Sequence, residues 1–161
     1  MAAPRAAWDR AGSMTTLSNP RVLLVDDSPD DRAMYADWFQ RHGFCTLQAE
    51  SAADAYWLAS ELRPAAVITD IGLAGGEDGL HLTRRLKADE RMRKVPVVVL
   101  TGYVLTRAQA EAMQAGCDLF LPKPCLPEIL SREIERLLRP QSCEDVSRAI
   151  RSPDRPPVNP D

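Results

Sequence analysis

The chain has 161 residues, 45% of them hydrophobic, and its 20 basic and 23 acidic side chains give a formal net charge of −3; this composition suits one domain with a buried core and short extensions. The charge is spread evenly, and the most basic run, residues 83–94, has no interleaved aromatic side chain, which argues against nucleic-acid binding. No apolar run is long enough to span a membrane, no secretory signal is recognisable, and the four cysteines form no CxxC pair, so we expect a cytoplasmic protein with reduced thiols.

Predicted strands and helices alternate along the chain. The branched, non-alternating run at residues 21–25 predicts a strand that is covered on both faces. Ser28, Pro29 and the acidic pair after them predict the start of a helix that Gly43 ends, with the two acids favouring the positive end of the helix dipole. Further strands are predicted at 44–50, 65–70, 95–101 and 117–123, and further helices at 51–63, 80–90, 106–116 and 124–139. Five strands alternating with five helices predict a doubly wound α/β fold with a parallel sheet.

The first predicted helix and the chain ends complete this organisation. Tyr35, Trp38, Phe39 and His42 fall on one face of the helix, and we interpret this aromatic face as core packing. Residues 1–19 are expected to form a disordered leader, and residues 20–139 the folded domain. Residues 140–161 contain four closely spaced prolines near their end, which cannot build a core, and are expected to be a mostly disordered tail.

Reactive side chains stand at the carboxyl ends of the predicted strands, where doubly wound folds bind their ligands. These side chains are Asp26 and Asp27, Asp70, Thr101 and Lys123. Adjacent carboxylates repel each other, and a hard divalent cation such as Mg²⁺ would offset that repulsion and imply a nearby phosphoryl group. Lys123 can pair with a phosphoryl oxygen, and a carboxylate can itself attack phosphorus to give an acyl phosphate. By itself the acidic pair could be a solvated strand end that caps the next helix. The other reactive side chains at the ends of the predicted strands favour a phosphoryl site instead.

The motifs VDD, ITD, VVVLTGY and AGCDLFLPKP, in this order, resemble those of the receiver domain of two-component response regulators. The resemblance covers about residues 20–139. It implies a stand-alone receiver with a flavodoxin-like sheet of strand order 2-1-3-4-5. It also implies a role for individual residues: Asp70 as phosphoacceptor; Asp26, Asp27, Asp70 and the Gly72 carbonyl as Mg²⁺ ligands; Thr101 and Phe120 as switch residues; Lys123 as the invariant lysine; and Pro124 as the cis-proline.

The family resemblance further implies partners and an output. A sensor histidine kinase or a histidine phosphotransfer protein would donate the phosphoryl group, and the signal would be a change in contacts with another protein. The changing face would be the fourth helix, fifth strand and fifth helix, about residues 105–138, with no nucleic-acid or membrane partner. The family uses side chains two residues after the phosphoacceptor and two after the switch hydroxyl to control hydrolysis. Here these are Gly72 and Tyr103, which predicts slow self-dephosphorylation.

The loop after Asp70 departs from the family pattern. Ala74 stands where a proline is usual, and the segment AGGEDG is one residue longer than the commonest form, so its glycines are expected to leave it loose.

Two other functions are compatible with parts of this pattern. An aspartyl-phosphate hydrolase of the haloacid-dehalogenase type would carry a second aspartate two residues after the nucleophile, but that position is Gly72. A receiver-like module that binds partners without phosphorylation would not need the complete set of reactive residues. We therefore expect a phosphorylated switch and not a turnover enzyme.

Overall fold

The computed structural model describes residues 19–102 and 106–139, together with the backbone of a short antiparallel pair, Ala7–Trp8 with Met14–Thr15. In the folded part, five parallel strands form one sheet: β1 Arg21–Val25, β2 Cys45–Ala49, β3 Ala66–Thr69, β4 Val97–Thr101 and β5 Leu119–Pro122. Five helices alternate with them: α1 Pro29–Arg41, α2 Ala52–Leu62, α3 Gly79–Ala88, α4 Thr106–Ala115 and α5 Pro127–Leu138. The strand order is β2-β1-β3-β4-β5, which confirms the predicted fold class and order.

The helices cover both faces of the sheet, as the non-alternating strand sequences predict. Val22 and Leu24 of β1 pack in a core with α1 and α5, while Leu23 and Val25 pack on the opposite face with α2 and α3. In a third cluster, side chains of α3 and α4 pack against β4 and β5. No helix in the described part of the chain is both long and apolar enough to cross a membrane.

Element ends lie within two residues of the sequence prediction except at the start of α5. The hydroxyl of Ser28 caps α1 by accepting a hydrogen bond from the Asp31 amide, and Gly43 follows the helix with a φ of 87°. α5 begins at Pro127 and not at residue 124, because Leu126 is extended. The Lys123–Pro124 peptide is cis. The cis-proline prediction is confirmed. The predicted tail and almost all of the predicted leader lie outside the described residues.

The aromatic face of α1 is only partly in the core. Tyr35 and Phe39 are buried, which confirms the prediction for both. Trp38 is half-buried, and its ring stacks on His42 at 4.1 Å between centroids. His42 is exposed, so the prediction that it packs in the core was wrong. The residue lies at the C-cap, beyond the last helical turn, and its ring packs along the helix instead.

Candidate functional site

The carboxyl ends of β1 and β3 place Asp26 beside Asp70. Val25 and Thr69 are partners in the parallel ladder, and each is followed by one of the two acids. The Asp70 amide donates to the Val25 carbonyl at 2.9 Å, and the Asp26 amide donates to the Ala49 carbonyl at 3.1 Å. Asp26 is 8% exposed, and the Asp70 side chain is 13% exposed. Two nearly buried carboxylates are thus held next to each other by the sheet itself.

Lys123 reaches this pair from the end of β5. Its amide donates to the Thr101 carbonyl at 2.8 Å, which extends the β4–β5 ladder to the lysine. Its ammonium donates to Asp26 Oδ2 at 2.5 Å and to Asp70 Oδ2 at 2.9 Å. The structure therefore brings together three of the predicted site residues. In the sequence, Lys123 is 97 positions from Asp26 and 53 positions from Asp70.

A third carboxylate, which the sequence analysis missed, also contacts the ammonium. Lys123 Nζ donates to Asp31 Oδ2 at 2.7 Å. The sequence predicts for Asp31 only a favourable interaction with the helix dipole. The capping bond from its amide to Ser28 places it in the first turn of α1, directly after the strand end that carries Asp26. The only sequence signal was therefore its position one helical turn after the acidic pair.

The charges of the cluster are strongly coupled. Burial raises the pKa of Asp26; hydrogen bonds from Lys123 and from the Ser28 amide oppose this rise, and the charge of Asp70 adds to it. Burial acts to lower the pKa of Lys123, but its hydrogen bonds to Asp26, Asp31 and Asp70 raise it overall. The lysine is therefore a cation throughout the physiological pH range, and its hydrogen bond favours the charged form of the buried Asp26 carboxylate.

The orientation of the Asp70 carboxylate is fixed from both sides. Asp70 Oδ1 accepts hydrogen bonds from the Ile71 amide at 2.6 Å and the Gly72 amide at 3.4 Å, while Oδ2 faces Lys123. Gly79, at the start of α3, packs against the backbone of the same residue: a Cβ there would lie 1.9 Å from the Asp70 carbonyl oxygen. Gly79 was not among the residues predicted to form the site. The only indication of it in the sequence is its place directly before the first residue of a predicted helix.

The other predicted residues surround this centre. Thr101 is fully buried at the end of β4. Phe120 is half-buried in β5 and packs on the cluster that joins α3 and α4. Asp27 is exposed. Tyr103 lies outside the described residues. The individual roles of these residues remain predictions.

The donor set suits a divalent cation. Within residues 19–102 and 106–139, no three His, Cys, Asp or Glu side chains are arranged as a metal-binding group. Asp26 and Asp70 nevertheless converge on one cation, the Lys123 ammonium. Carboxylate oxygens are the ligands that Mg²⁺ prefers, so the chemistry of these two acids fits a magnesium ion.

The loop after Asp70 is tied to its neighbours. The Ala74 amide donates to the Glu50 carbonyl at 3.1 Å, and Glu77 forms an ion pair of 3.0 Å with Arg85 of α3. Gly75 and Gly76 have φ values of 87° and 88°, which other residues rarely adopt. The looseness predicted for this loop stays a prediction.

Comparison with known proteins adds an independent line of evidence. The family model described as response regulator receiver domain matches residues 22–135. The chain is 36% identical over 126 residues to protein PetR of Rhodobacter capsulatus, covering 78% of this chain and 52% of PetR, so it spans about half the length of that relative. It is 30% identical over 103 residues to the polar-differentiation response regulator DivK of Brucella ovis, covering 64% of this chain and 83% of DivK.

Solved structures agree with this result. The receiver domain of a sensor histidine kinase from Pseudomonas aeruginosa, with a magnesium ion coordinated in its active site cleft, is 28% identical to this chain with a TM-score of 0.69, covering 74% of this chain and 98% of that one. A response regulator structure from Chloroflexus aurantiacus is 26% identical with a TM-score of 0.70, covering 74% of this chain and 97% of that one.

Proposed function

The chain belongs to the response regulator receiver domain family, and on this premise we propose that Asp70 accepts a phosphoryl group from a sensor histidine kinase or a histidine phosphotransfer protein. The observation that carries this proposal is the hydrogen bond of 2.9 Å between Lys123 and Asp70 Oδ2, inside a cluster of carboxylates at the carboxyl edge of the sheet. Two amide donors fix the other oxygen of Asp70, so Oδ2 is presented in one orientation.

The transfer reaction follows from this arrangement. An oxygen of the Asp70 carboxylate attacks the phosphorus of a phosphohistidine; the new P–O bond gives an acyl phosphate, the P–N bond breaks, and the histidine ring leaves as imidazole after taking up a proton. Lys123 donates to a phosphoryl oxygen and stabilises its charge. Asp26, Asp27, Asp70 and the Gly72 carbonyl would hold Mg²⁺, which supplies further positive charge to the phosphoryl oxygens.

The proposed output is an altered protein–protein contact. Phosphorylated Asp70 would draw the Thr101 hydroxyl toward it, and Phe120 would fill the space that this movement leaves. Phe120 has no polar group to keep hydrated, so its movement breaks no hydrogen bond, and we infer that the two states differ by only a few kcal/mol. The partner would bind the face formed by α4, β5 and α5.

A cytoplasmic location completes the proposal. Cys45, Cys117 and Cys125 are free thiols in the structure. Free thiols are usual in the reducing cytoplasm.

The test is phosphorylation by a small donor such as acetyl phosphate, followed by intact-mass measurement. We expect the wild-type protein to gain one phosphoryl group in Mg²⁺ and almost none in chelator, and Asp70→Asn to gain none. Asp37→Asn, which removes an exposed carboxylate of α1, is the matched control and should behave like wild type. Full incorporation in Asp70→Asn, or equal incorporation with and without Mg²⁺, contradicts the proposal.

A further inference from the structure

One face of α1 makes hydrogen bonds to the chain that leaves β5. The three side chains of α1 that take part are spaced i, i+4 and i+7, and their partners follow one another from the end of β5 into α5. Lys123 Nζ donates to Asp31 Oδ2 at 2.7 Å, Tyr35 Oη donates to the Cys125 carbonyl at 2.8 Å, and Trp38 Nε1 donates to Ser131 Oγ at 3.3 Å. The first helix therefore holds the part of the chain that carries the site lysine.

Residues 123–126 connect β5 to α5, and a proline interrupts their backbone hydrogen bonding. Pro124 has no amide hydrogen, so it cannot continue the ladder beyond Lys123. The Lys123 amide donates to the Thr101 carbonyl at 2.8 Å, which fixes the chain before this proline. The Tyr35 hydroxyl binds the carbonyl that follows the proline. The main chain of Lys123 is thus held on one side by β4 and on the other by α1.

Tyr35 is a rigid donor for this purpose. The residue is 5% exposed, and its ring shares a core with Leu24 of β1, Phe39 of α1 and Leu130 of α5. Close packing of the ring leaves the hydroxyl oxygen little freedom to move, and a buried tyrosine hydroxyl needs a hydrogen-bond partner. The carbonyl that this hydroxyl binds is therefore held in a fixed position relative to the sheet.

We propose that Tyr35 is a positioning residue whose hydroxyl holds the main chain after Lys123, so that the Lys123 ammonium stays in reach of a phosphoryl group on Asp70. During transfer, Lys123 exchanges its bond to Asp70 Oδ2 for a bond to a phosphoryl oxygen, and the place of the ammonium then depends on the main chain that carries it. Tyr35 acts through this main chain and does not touch the phosphoryl group. The inference rests on the proposed function, because it concerns the lysine that this function uses.

Removal of the hydroxyl alone should slow phosphorylation. Tyr35→Phe keeps the ring that packs in the core and loses only the hydrogen bond to the Cys125 carbonyl. A misplacement of about 1 Å near the reacting atoms can cost about a hundredfold in rate. We expect a smaller displacement here, and the rate should therefore fall about tenfold.

The test compares the initial rate of phosphorylation by acetyl phosphate in Mg²⁺ with the hydrogen exchange of the Lys123 amide, measured by NMR. Ser131→Ala is the matched control, because it also removes one hydroxyl that joins α1 to this part of the chain, but further from Lys123. Each variant loses a hydrogen bond between the same elements, so their losses in the free energy of unfolding should be similar. Only Tyr35→Phe should slow phosphorylation about tenfold, and only in Tyr35→Phe should the Lys123 amide exchange faster than in wild type.

The outcomes separate this inference from the function on which it rests. A wild-type protein that takes up no phosphoryl group overturns both. Phosphorylation of the wild type, with equal rates for Tyr35→Phe and Ser131→Ala, overturns only the role of Tyr35. A slower Tyr35→Phe in which the exchange of the Lys123 amide is unchanged also overturns it, because the effect would then not pass through the main chain of the lysine. If Tyr35→Phe fails to fold, Tyr35→Met replaces it, and a folded Tyr35→Met that is phosphorylated at the wild-type rate overturns the role as well.

Discussion

Replacement of Gly79 by alanine tests whether the start of α3 holds the phosphoacceptor strand in place. A Cβ at this position would lie 1.9 Å from the Asp70 carbonyl oxygen and 2.8 Å from Thr69 Oγ1. Ordinary contact begins near 3.4 Å, so the two backbone segments would have to separate by about 1.5 Å. Neither is free to move without loss, because the Gly79 amide donates to the Ile71 carbonyl at 2.8 Å and the Asp70 amide donates to Val25.

The magnitude follows from these contacts. Forcing a methyl group into a packed site costs about 1–3 kcal/mol, and weakening the Gly79 hydrogen bond adds about 1 kcal/mol, so we expect a loss of about 2–4 kcal/mol in the free energy of unfolding. Helix propensity alone predicts the opposite sign, since alanine stabilises a helix by about 1 kcal/mol relative to glycine. The sign of the change therefore distinguishes the two effects.

Urea unfolding followed by circular dichroism measures this change. Gly102→Ala is the matched control, because a Cβ there meets nothing within 4 Å, and its stability should stay within about 0.5 kcal/mol of wild type. The phosphorylation rate of folded Gly79→Ala should also fall, because a shift of about 1 Å at the reacting group can cost about a hundredfold in rate. A Gly79→Ala protein as stable as wild type or more stable would refute the reasoning.

Three further predictions concern other parts of the domain. Burial raises the pKa of Tyr35 from 10.0 to about 12. Its contribution to the free energy of unfolding is therefore complete below pH 10.0 and is lost as the pH rises to about 12. Urea unfolding across this pH range should show a loss of stability in the wild type that Tyr35→Phe lacks. Gly72→Asn adds a side chain that can orient a water molecule near phosphorylated Asp70, and the decay of the phosphoprotein after donor removal should be faster than in wild type; slower decay contradicts the proposed role of Gly72. A phosphoryl mimic such as beryllofluoride should change hydrogen exchange first in residues 106–138, and a change confined to residues 30–63 would show that the output face is misassigned.

The sequence predicts the centre of the site because its geometry follows from topology. Parallel strands of one sheet end at one edge, so the residues directly after the neighbouring strands β1 and β3 lie side by side. β5 is separated from β3 by β4, and the long side chain of Lys123 spans that gap. Asp26, Asp70 and Lys123 meet for this reason. The residues that strand topology does not fix were harder to predict, and Asp31 and Gly79 are the clearest examples.

Asp31 could not be distinguished from Asp30 by sequence, because successive residues of a helix point about 100° apart and the rotation of α1 about its axis depends on packing. That rotation is set by Tyr35 and Phe39, which enter the core on the sheet side. Gly79 could not be identified either, because a requirement for glycine without a positive φ depends on how closely two segments approach. Both features arise from the docking of helices on the sheet.

The balance of charge in the site predicts that cation binding and phosphorylation are linked. Asp26, Asp31 and Asp70 bring three negative charges to one ammonium, and Asp27 adds a fourth at the exposed rim. A phosphoryl group on Asp70 would add further negative charge and draw Lys123 toward itself, which would leave Asp26 with less compensation. A divalent cation would supply the positive charge that the lysine then no longer provides, so the two ligands should favour each other. Because such coupling is reciprocal, phosphorylated Asp70 should raise the affinity for Mg²⁺ by the same factor by which Mg²⁺ favours the phosphorylated form at equilibrium.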